Sequence, residues 1–120
     1  MAEHIDLGQK GEAMARDYLK KRGYQILQTN WHFGKNEIDI IAEIDEYLVI
    51  VEVKTRSTNF FGEPQVFVNR QKQNFLIRAA NAYVNKMDLD KEVRFDIIAV
   101  TLSREKTRID HIDDAFYPLV

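Results

Sequence analysis

Asp39, Glu52 and Lys54 are the residues of this sequence whose types and spacing best suit catalysis. They lie in two strongly apolar segments, residues 37–44 (EIDIIAEI) and 47–54 (YLVIVEVK), whose alternating or continuous apolar patterns predict β-strands. Two carboxylates and a lysine brought together could hold a hard divalent cation next to a phosphate group. The chemistry that such a group favours is metal-assisted hydrolysis of a phosphodiester bond.

Whether these residues meet depends on the turn between the two strands. The dipeptide Asp-Glu at 45–46 suits a tight hairpin, and in that register Asp39 lies opposite Glu52, and Glu37 lies opposite Lys54. Directly opposed residues share one face of a sheet, with Cβ atoms about 4.5–5.5 Å apart. A loop one residue longer or shorter would move Asp39 to the opposite face.

Opposed carboxylates repel each other, so either one pKa rises or a cation is recruited. Mg²⁺ takes oxygen ligands from one or two carboxylates and keeps several waters, while Lys54 could steady a carboxylate, a phosphate oxygen or an attacking water. The alternative is that these charges are solvated strand ends, with Glu37 and Lys54 in a cross-strand ion pair of little energetic consequence. The spacing alone leaves both interpretations open.

A helix is predicted before the two strands. Asp6 followed by Gln9 resembles a capping box, the apolar residues continue at helical spacing to about Lys21, and Gly23 suits the position just past the end. Glu12 lies at the edge of the apolar stripe. Its carboxylate could lean over the sheet, or it could remain an ordinary surface glutamate.

A second helix is predicted from Asn69, a favourable N-cap, to about Lys86. Three further strands are predicted at residues 24–28, 93–101 and 107–112, and loops at 29–36 and 57–64. The order α-β-β-β-α-β-β predicts an α/β fold, with a mixed β-sheet flanked by helices, in a single domain spanning residues 1–120. Asp96 falls mid-strand among apolar neighbours and is predicted to accept structural hydrogen bonds.

The composition excludes several classes of protein. The chain has 120 residues, and because it has no cysteine, neither a disulfide nor a thiolate metal site is available. The polar first segment (MAEHIDLGQKGEAMARD) lacks the apolar stretch of a signal peptide, and the apolar runs are too short to span a membrane. We therefore expect a cytoplasmic protein that has no membrane partner. The three histidines show no metal-ligand spacing, and no role is assigned to them.

The charge distribution is more informative than the total. The net charge of −2 argues against non-specific nucleic-acid binding by charge alone, yet residues 52–86 carry six basic and two acidic side chains. The candidates for phosphate contacts in this block are Arg56, Arg70, Lys72 and Arg78. Of these, Arg70 and Arg78 are predicted to share a helix face with Asn74. The alternative is an ordinary solvated face.

Five segments together give the sequence a family resemblance. They are NEIDIIA at residues 36–42, LVIVEVKTR at 48–56, GEAMA at 11–15, FGEP at 61–64 and RFDIIA at 94–99. With these segments the chain resembles the PD-(D/E)XK nuclease superfamily, and most closely the YraN-like family of small bacterial proteins within its Holliday-junction-resolvase-like branch. The resemblance covers nearly the whole chain and implies a restriction-endonuclease-like core.

By position, the resemblance implies that Asp39 and Glu52 are metal ligands, that Lys54 is the catalytic lysine and that Glu12 completes the site as a further catalytic and metal-binding acid. Glu37 is a neighbour of the site without an assigned role. The implied cofactor is Mg²⁺ or Mn²⁺. The implied function is a metal-dependent endonuclease acting on DNA, including branched or structured DNA, as a homodimer. The rival hypothesis is a nucleic-acid-binding or interaction module that keeps the fold without catalysis.

Overall fold

One five-stranded sheet lies at the centre of the computed structural model, which describes residues 6–58 and 66–118. The elements are α1 (Leu7–Lys21), β1 (Gln25–Phe33), β2 (Asn36–Ile44), β3 (Tyr47–Ser57), α2 (Arg70–Met87), β4 (Glu92–Leu102) and β5 (Thr107–Phe116). The strands lie in the order β1-β2-β3-β4-β5; β3 and β4 are parallel and the other pairs are antiparallel. The predicted α/β fold and element order are confirmed. Most of the predicted loop at 57–64 lies outside the described residues.

Both helices begin and end at residues suited to those positions. The Asp6 carboxylate accepts a hydrogen bond from the Gly8 N–H (3.1 Å) at the start of α1, and Gly23, with φ +91°, follows its end. The Asn69 side chain accepts from the Lys72 N–H (2.8 Å) at the start of α2. Because these caps satisfy backbone groups that helix ends leave unpaired, the predicted boundaries hold to within one or two residues.

The two helices cover opposite faces of the sheet, and each face has its own apolar cluster. The cluster under α2 contains Phe75, Leu76, Ala79, Ala80 and Tyr83 from the helix, packed on sheet residues that include Ile38, Ile41, Leu48 and Ile50. The cluster under α1 contains Ala15 and Leu19, packed on sheet residues that include Ile40, Val49, Val51 and Ile98. Strand β3 contributes alternate residues to both clusters and is therefore covered on both sides. In the part of the chain that the structure describes, neither helix is long and apolar enough to cross a membrane.

The prediction of a loop at 29–36 is wrong, because strand β1 continues to Phe33 and only a short turn at Gly34 separates it from β2. Trp31 and its neighbours are used in the core: the Trp31 ring packs edge-on against Tyr83, with ring centroids 5.2 Å apart. Asn30 adopts a positive φ of +49° inside the strand, a conformation that asparagine tolerates better than most residues. Burial of aromatic side chains therefore outweighs the local turn preference.

The sheet opens between β2 and β3 at the end far from their connecting turn. The pairs run from Ile44–Tyr47 to Ile40–Val51, which is the register that the sequence predicts. Beyond Ile40 the two strands are no longer paired, although β2 stays paired with β1 and β3 stays paired with β4 as far as Ser57. Asp39 and Glu52 are the first residues past the last pair, and they therefore lie where the sheet divides.

Candidate metal centre

Asp39 lies in the opening between β2 and β3. Its Oδ2 atom accepts a hydrogen bond from the backbone N–H of Val53 (2.8 Å), a group that strand pairing would otherwise use. Glu52 follows Leu48 and Ile50 on the face of β3 that carries α2, and only 5% of its surface is exposed. We refer to Asp39 and Glu52 as the acid pair.

The acid pair has an electrostatic cost. Burial, followed by the neighbouring charge of Glu52, raises the pKa of Asp39 from 3.8 to about 7, although the Val53 N–H bond acts in the opposite direction. Two carboxylates held together in a poorly solvated place cannot both be charged without a compensating cation. The acid pair therefore either retains a proton or binds a positive group.

Glu52 uses only one of its two oxygens. Its Oε2 atom lies 3.6 Å from the Lys54 ammonium and 3.7 Å from the Lys72 ammonium. The Oε1 atom is buried and has no hydrogen-bond partner among the described residues. A buried carboxylate oxygen without a hydrogen-bond partner destabilises the fold. Because this oxygen belongs to a residue beside a second carboxylate, the two side chains suit a hard cation that prefers oxygen ligands. Asp39 and Glu52 are accordingly the residues that would hold Mg²⁺ or Mn²⁺.

The third predicted ligand, Glu12, does not form a three-residue metal-binding group with Asp39 and Glu52 in the described residues. Within residues 6–58 and 66–118, no group of three His, Asp or Glu side chains is arranged to hold a metal ion. Glu12 is close enough for the charges of Asp39 and Glu37 to act on it: burial raises its pKa, an Asn30 hydrogen bond opposes that rise, and the two acidic charges add to it. Because Mg²⁺ takes one or two carboxylates and completes its shell with water and phosphate, the acid pair alone fits such a centre.

Asn30 connects Glu12 and Glu37, the two acids that flank the acid pair. The sequence did not predict it as a site residue. Its side-chain amide donates to Glu12 Oε1 (2.8 Å) and to Glu37 Oε1 (3.0 Å), so one group holds acids from α1 and β2 together. Its positive φ is uncommon for a residue other than glycine, although asparagine tolerates it better than most. Its only sequence signal is its place in the segment 29–36, for which the sequence predicts a loop.

The position of Glu12 follows from a close contact between α1 and β3. Gly11 faces Thr55, and a Cβ atom added at Gly11 would lie 2.7 Å from Thr55 Cγ2, 2.8 Å from its Cβ and closer still to its Oγ1. The backbone of α1 therefore rests directly on the side chain of Thr55. Glu12, the next residue, is thereby brought to the divided end of the sheet.

Lys54 contacts the acid pair rather than Glu37. The pairing of Glu37 with Lys54 is not formed, because β2 and β3 have separated before they reach these residues. Glu37 instead accepts from Asn30, and Lys54 extends along its own strand to Glu52. With 46% of its side chain exposed, Lys54 keeps access to solvent and to any bound group.

The four basic residues predicted to contact phosphates do not form one surface. Lys72 and Arg78 line a shallow cleft of about 270 Å³ beside the acid pair, which we call the cationic cleft. Arg70 lines a separate cleft next to the C-terminal segment, and Arg56 Nε donates to Thr101 Oγ1 (3.2 Å) on β4. Arg70 and Arg78 are eight positions apart, which turns them by about 80° around the helix and divides the predicted common face.

A second buried carboxylate, Asp96 on β4, is fully partnered. Its oxygens accept hydrogen bonds from the Arg94 guanidinium (2.9 and 2.8 Å), from His111 Nε2 (2.7 Å) and from the Asp114 N–H (3.1 Å). His111 Nδ1 lies 3.1 Å from the Tyr18 hydroxyl. The structural role predicted for Asp96 is confirmed, whereas the part played by His111 in this network had no sequence signal.

A five-stranded mixed sheet, two helices on opposite faces and an acid pair where the sheet divides define an α/β protein compatible with a resolvase-like core. The chain belongs to a family described as "Uncharacterised protein family UPF0102", whose model matches residues 11–100. It is 56% identical over 117 residues to a UPF0102 protein of Flavobacterium psychrophilum, with 98% of each chain covered. It is also similar to UPF0102 proteins of Christiangramia forsetii (50% identity, 98% of each chain) and Bacteroides thetaiotaomicron (48%, 98% of each chain). This membership is consistent with the predicted YraN-like relationship.

Proposed function

We propose that this protein is a metal-dependent endonuclease that hydrolyses phosphodiester bonds in DNA, with branched or otherwise structured DNA among its substrates. One observation carries the proposal: partly buried Asp39 and buried Glu52 form a pair of carboxylates beside Lys54, and one oxygen of Glu52 has no partner among the described residues. Strongly perturbed acids in a cleft are typical of functional sites, and this combination of groups suits phosphoryl chemistry.

Each residue has a separate task in the proposed reaction. Asp39 and Glu52 would hold Mg²⁺ or Mn²⁺, which would supply the charge that polarises a phosphoryl oxygen and lowers the pKa of a water. Lys54 donates hydrogen bonds from its half-exposed ammonium to the attacking water or to a phosphate oxygen and so orients it. Glu12, oriented by Asn30, adds an acidic oxygen from the α1 side.

The surroundings of the acid pair support a nucleic-acid substrate. Lys72 and Arg78 in the cationic cleft offer contacts to a phosphate backbone on one side of the site. In this proposal the protein acts on DNA in the cytoplasm. Two copies would supply the two cuts that a symmetric junction requires.

A cleavage assay tests the proposal. Purified wild type, Asp39→Asn and Glu52→Gln would be incubated with Mg²⁺ or Mn²⁺ and labelled four-way junction, flap, linear duplex and single-stranded DNA. We expect cleavage by the wild type and a loss of at least about 100-fold in both variants, because removal of a direct ligand costs more than removal of an outer partner. Asp113→Asn, an exposed acid on β5, is the matched control and should retain wild-type activity.

The assay also addresses the rival hypothesis. If the folded wild type binds the metal and binds DNA but cleaves none of the four substrates, the nuclease proposal is wrong and the non-catalytic binding module takes its place. Metal binding measured by calorimetry separates this result from a failure to load the site.

A further inference from the structure

Two ammonium groups from different elements contact the same oxygen of Glu52. Lys54 reaches Oε2 from within β3, and Lys72 reaches it from the first turn of α2, at 3.6 and 3.7 Å respectively. A single lysine would already balance the charge of Glu52. Lys72 adds a second positive group, which comes from the helix α2 that covers the sheet. Its charge also acts on Asp39 and lowers the pKa of that carboxyl.

The backbone of Lys72 is fixed by the helix cap, and its ammonium lies between Glu52 and an aromatic ring. Its backbone N–H is held by the Asn69 side chain (2.8 Å), and its ammonium lies 5.4 Å from the centre of the Phe75 ring. The side chain is 32% exposed, so the ammonium reaches both the acid pair and solvent. A flexible four-carbon side chain with these neighbours can exchange one anionic partner for another without moving the helix.

The two sides of the acid pair differ in charge. On the α2 side, the cationic cleft combines Lys72 and Arg78 with the amide side chains of Asn36, Asn69 and Gln71. On the α1 side, a cleft of about 460 Å³ is lined by three acids and one basic residue, namely Asp6, Glu12, Glu37 and Arg16. A phosphate backbone is attracted to the first cleft and repelled by the second. The difference in charge therefore favours the approach of a phosphate backbone along α2, where Lys72 lies.

We propose that Lys72 is a second catalytic lysine, which competes with the divalent cation for Glu52 and binds a non-bridging oxygen of the scissile phosphate. This inference rests on the proposed nuclease function and specifies which side of the site holds the substrate. No proton is transferred by Lys72: its ammonium exchanges a carboxylate oxygen for a phosphate oxygen and stabilises the negative charge there.

The proposal predicts two effects of opposite sign. Removal of the Lys72 charge eliminates a competitor for Glu52, so a divalent cation should bind more tightly. The same change eliminates a contact to the phosphate, so cleavage should be slower. A residue that merely supports the fold of the site would weaken both processes together.

The experiment compares Lys72→Gln and Lys72→Arg with Lys86→Gln, an exposed lysine in the last turn of the same helix. Mn²⁺ affinity is measured by calorimetry without DNA, and the cleavage rate constant is measured under single-turnover conditions with the enzyme in saturating excess over DNA. For Lys72→Gln we expect Mn²⁺ binding about threefold to tenfold tighter and cleavage on the order of 10-fold to 100-fold slower. Lys72→Arg should recover part of the rate, and Lys86→Gln should match the wild type in both measurements.

The remaining outcomes decide against the inference in distinguishable ways. If Lys72→Gln cleaves at the wild-type rate, or if it loses both metal affinity and rate, the role of Lys72 is refuted while the nuclease function stands. If the wild type and Lys86→Gln cleave no substrate at all, the nuclease function fails and the inference fails with it. Circular dichroism of each variant confirms that the helix is intact.

Discussion

Asp39 and Asp96 lie in the same sheet, but the pKa of Asp39 is raised and the pKa of Asp96 is lowered. Burial raises the pKa of Asp96, but the hydrogen bonds from His111, Arg94 and the Asp114 N–H outweigh it and hold the pKa below the usual range. Asp39 has one backbone N–H and a like charge beside it, and its pKa rises to about 7. The number and charge of the neighbouring groups, rather than burial itself, therefore decide the state of a buried carboxylate.

The comparison separates a structural site from a site suited to chemistry. Around Asp96, every charge has a partner, so an added ligand would gain nothing. At the acid pair, one oxygen of Glu52 has no hydrogen-bond partner among the described residues, and the pKa of Asp39 is raised, so a cation that binds there would stabilise both carboxylates. Both sites lie in one small sheet, and the first stabilises the fold that the second destabilises.

The strongest test of this comparison makes the same substitution at both aspartates. Asp96→Asn should lower the free energy of unfolding by roughly 3–5 kcal/mol, because the Arg94 guanidinium loses its counter-charge inside the protein and the hydrogen bond from His111 is disturbed. Asp39→Asn at pH 8 should instead raise it by roughly 1–3 kcal/mol, because the repulsion from Glu52 is removed. Urea unfolding at pH 8 without divalent cations measures both, and a loss of stability in both variants would contradict the comparison.

The second test uses pH. Because the folded-state pKa of Asp39 lies near 7 and its usual value is 3.8, the folded protein binds a proton that the unfolded chain releases between these values. The stability contributed by this proton is fully present below about pH 4 and is lost as pH rises through 7, by on the order of 2–4 kcal/mol. Asp96 acts in the other window: its contribution is present above pH 3.8 and is lost as pH falls through its lowered pKa.

Unfolding curves from pH 3 to pH 8 for wild type and Asp39→Asn measure this effect, with Asp113→Asn as the control. The difference between wild type and Asp39→Asn should change between pH 4 and 8 and should be flat below pH 4. A difference that is flat throughout would show that Asp39 titrates normally.

The smallest predicted effect concerns the outer part of the Asp96 network. Tyr18→Phe removes the hydroxyl that lies 3.1 Å from His111 Nδ1 and should cost about 1 kcal/mol of stability without changing metal binding. Thermal unfolding and Mn²⁺ calorimetry on the same sample check both statements. A change in Mn²⁺ affinity would mean that the Asp96 network and the acid pair are coupled, which would contradict their independence.

Local patterns were sufficient to predict part of this molecule. The apolar runs at 37–44 and 47–54 and the turn between them specified the hairpin register, and with it the neighbourhood of Asp39 and Glu52. Helix ends at Asp6 and Asn69 were predictable because a cap is a contact between residues close in sequence.

The remaining features depend on contacts between residues far apart in sequence. The strand at Trp31 is stabilised by Tyr83 on α2, and Lys72 meets Glu52 only because α2 packs on the sheet face that carries Glu52. The separation of β2 from β3, which prevents Glu37 from pairing with Lys54, has no local signal either. Tertiary packing therefore decided these three points, which the sequence prediction left incomplete or got wrong.

The contact between Gly11 and Thr55 links two positions that cannot change independently. A larger residue at position 11 requires a smaller one at 55, or else a helix displaced from the sheet. A displaced helix carries Glu12 away from Asp39, so a substitution that touches no acidic residue would still alter the site. The range of sequences that this site tolerates is thus limited partly by a glycine that has no side chain to contribute.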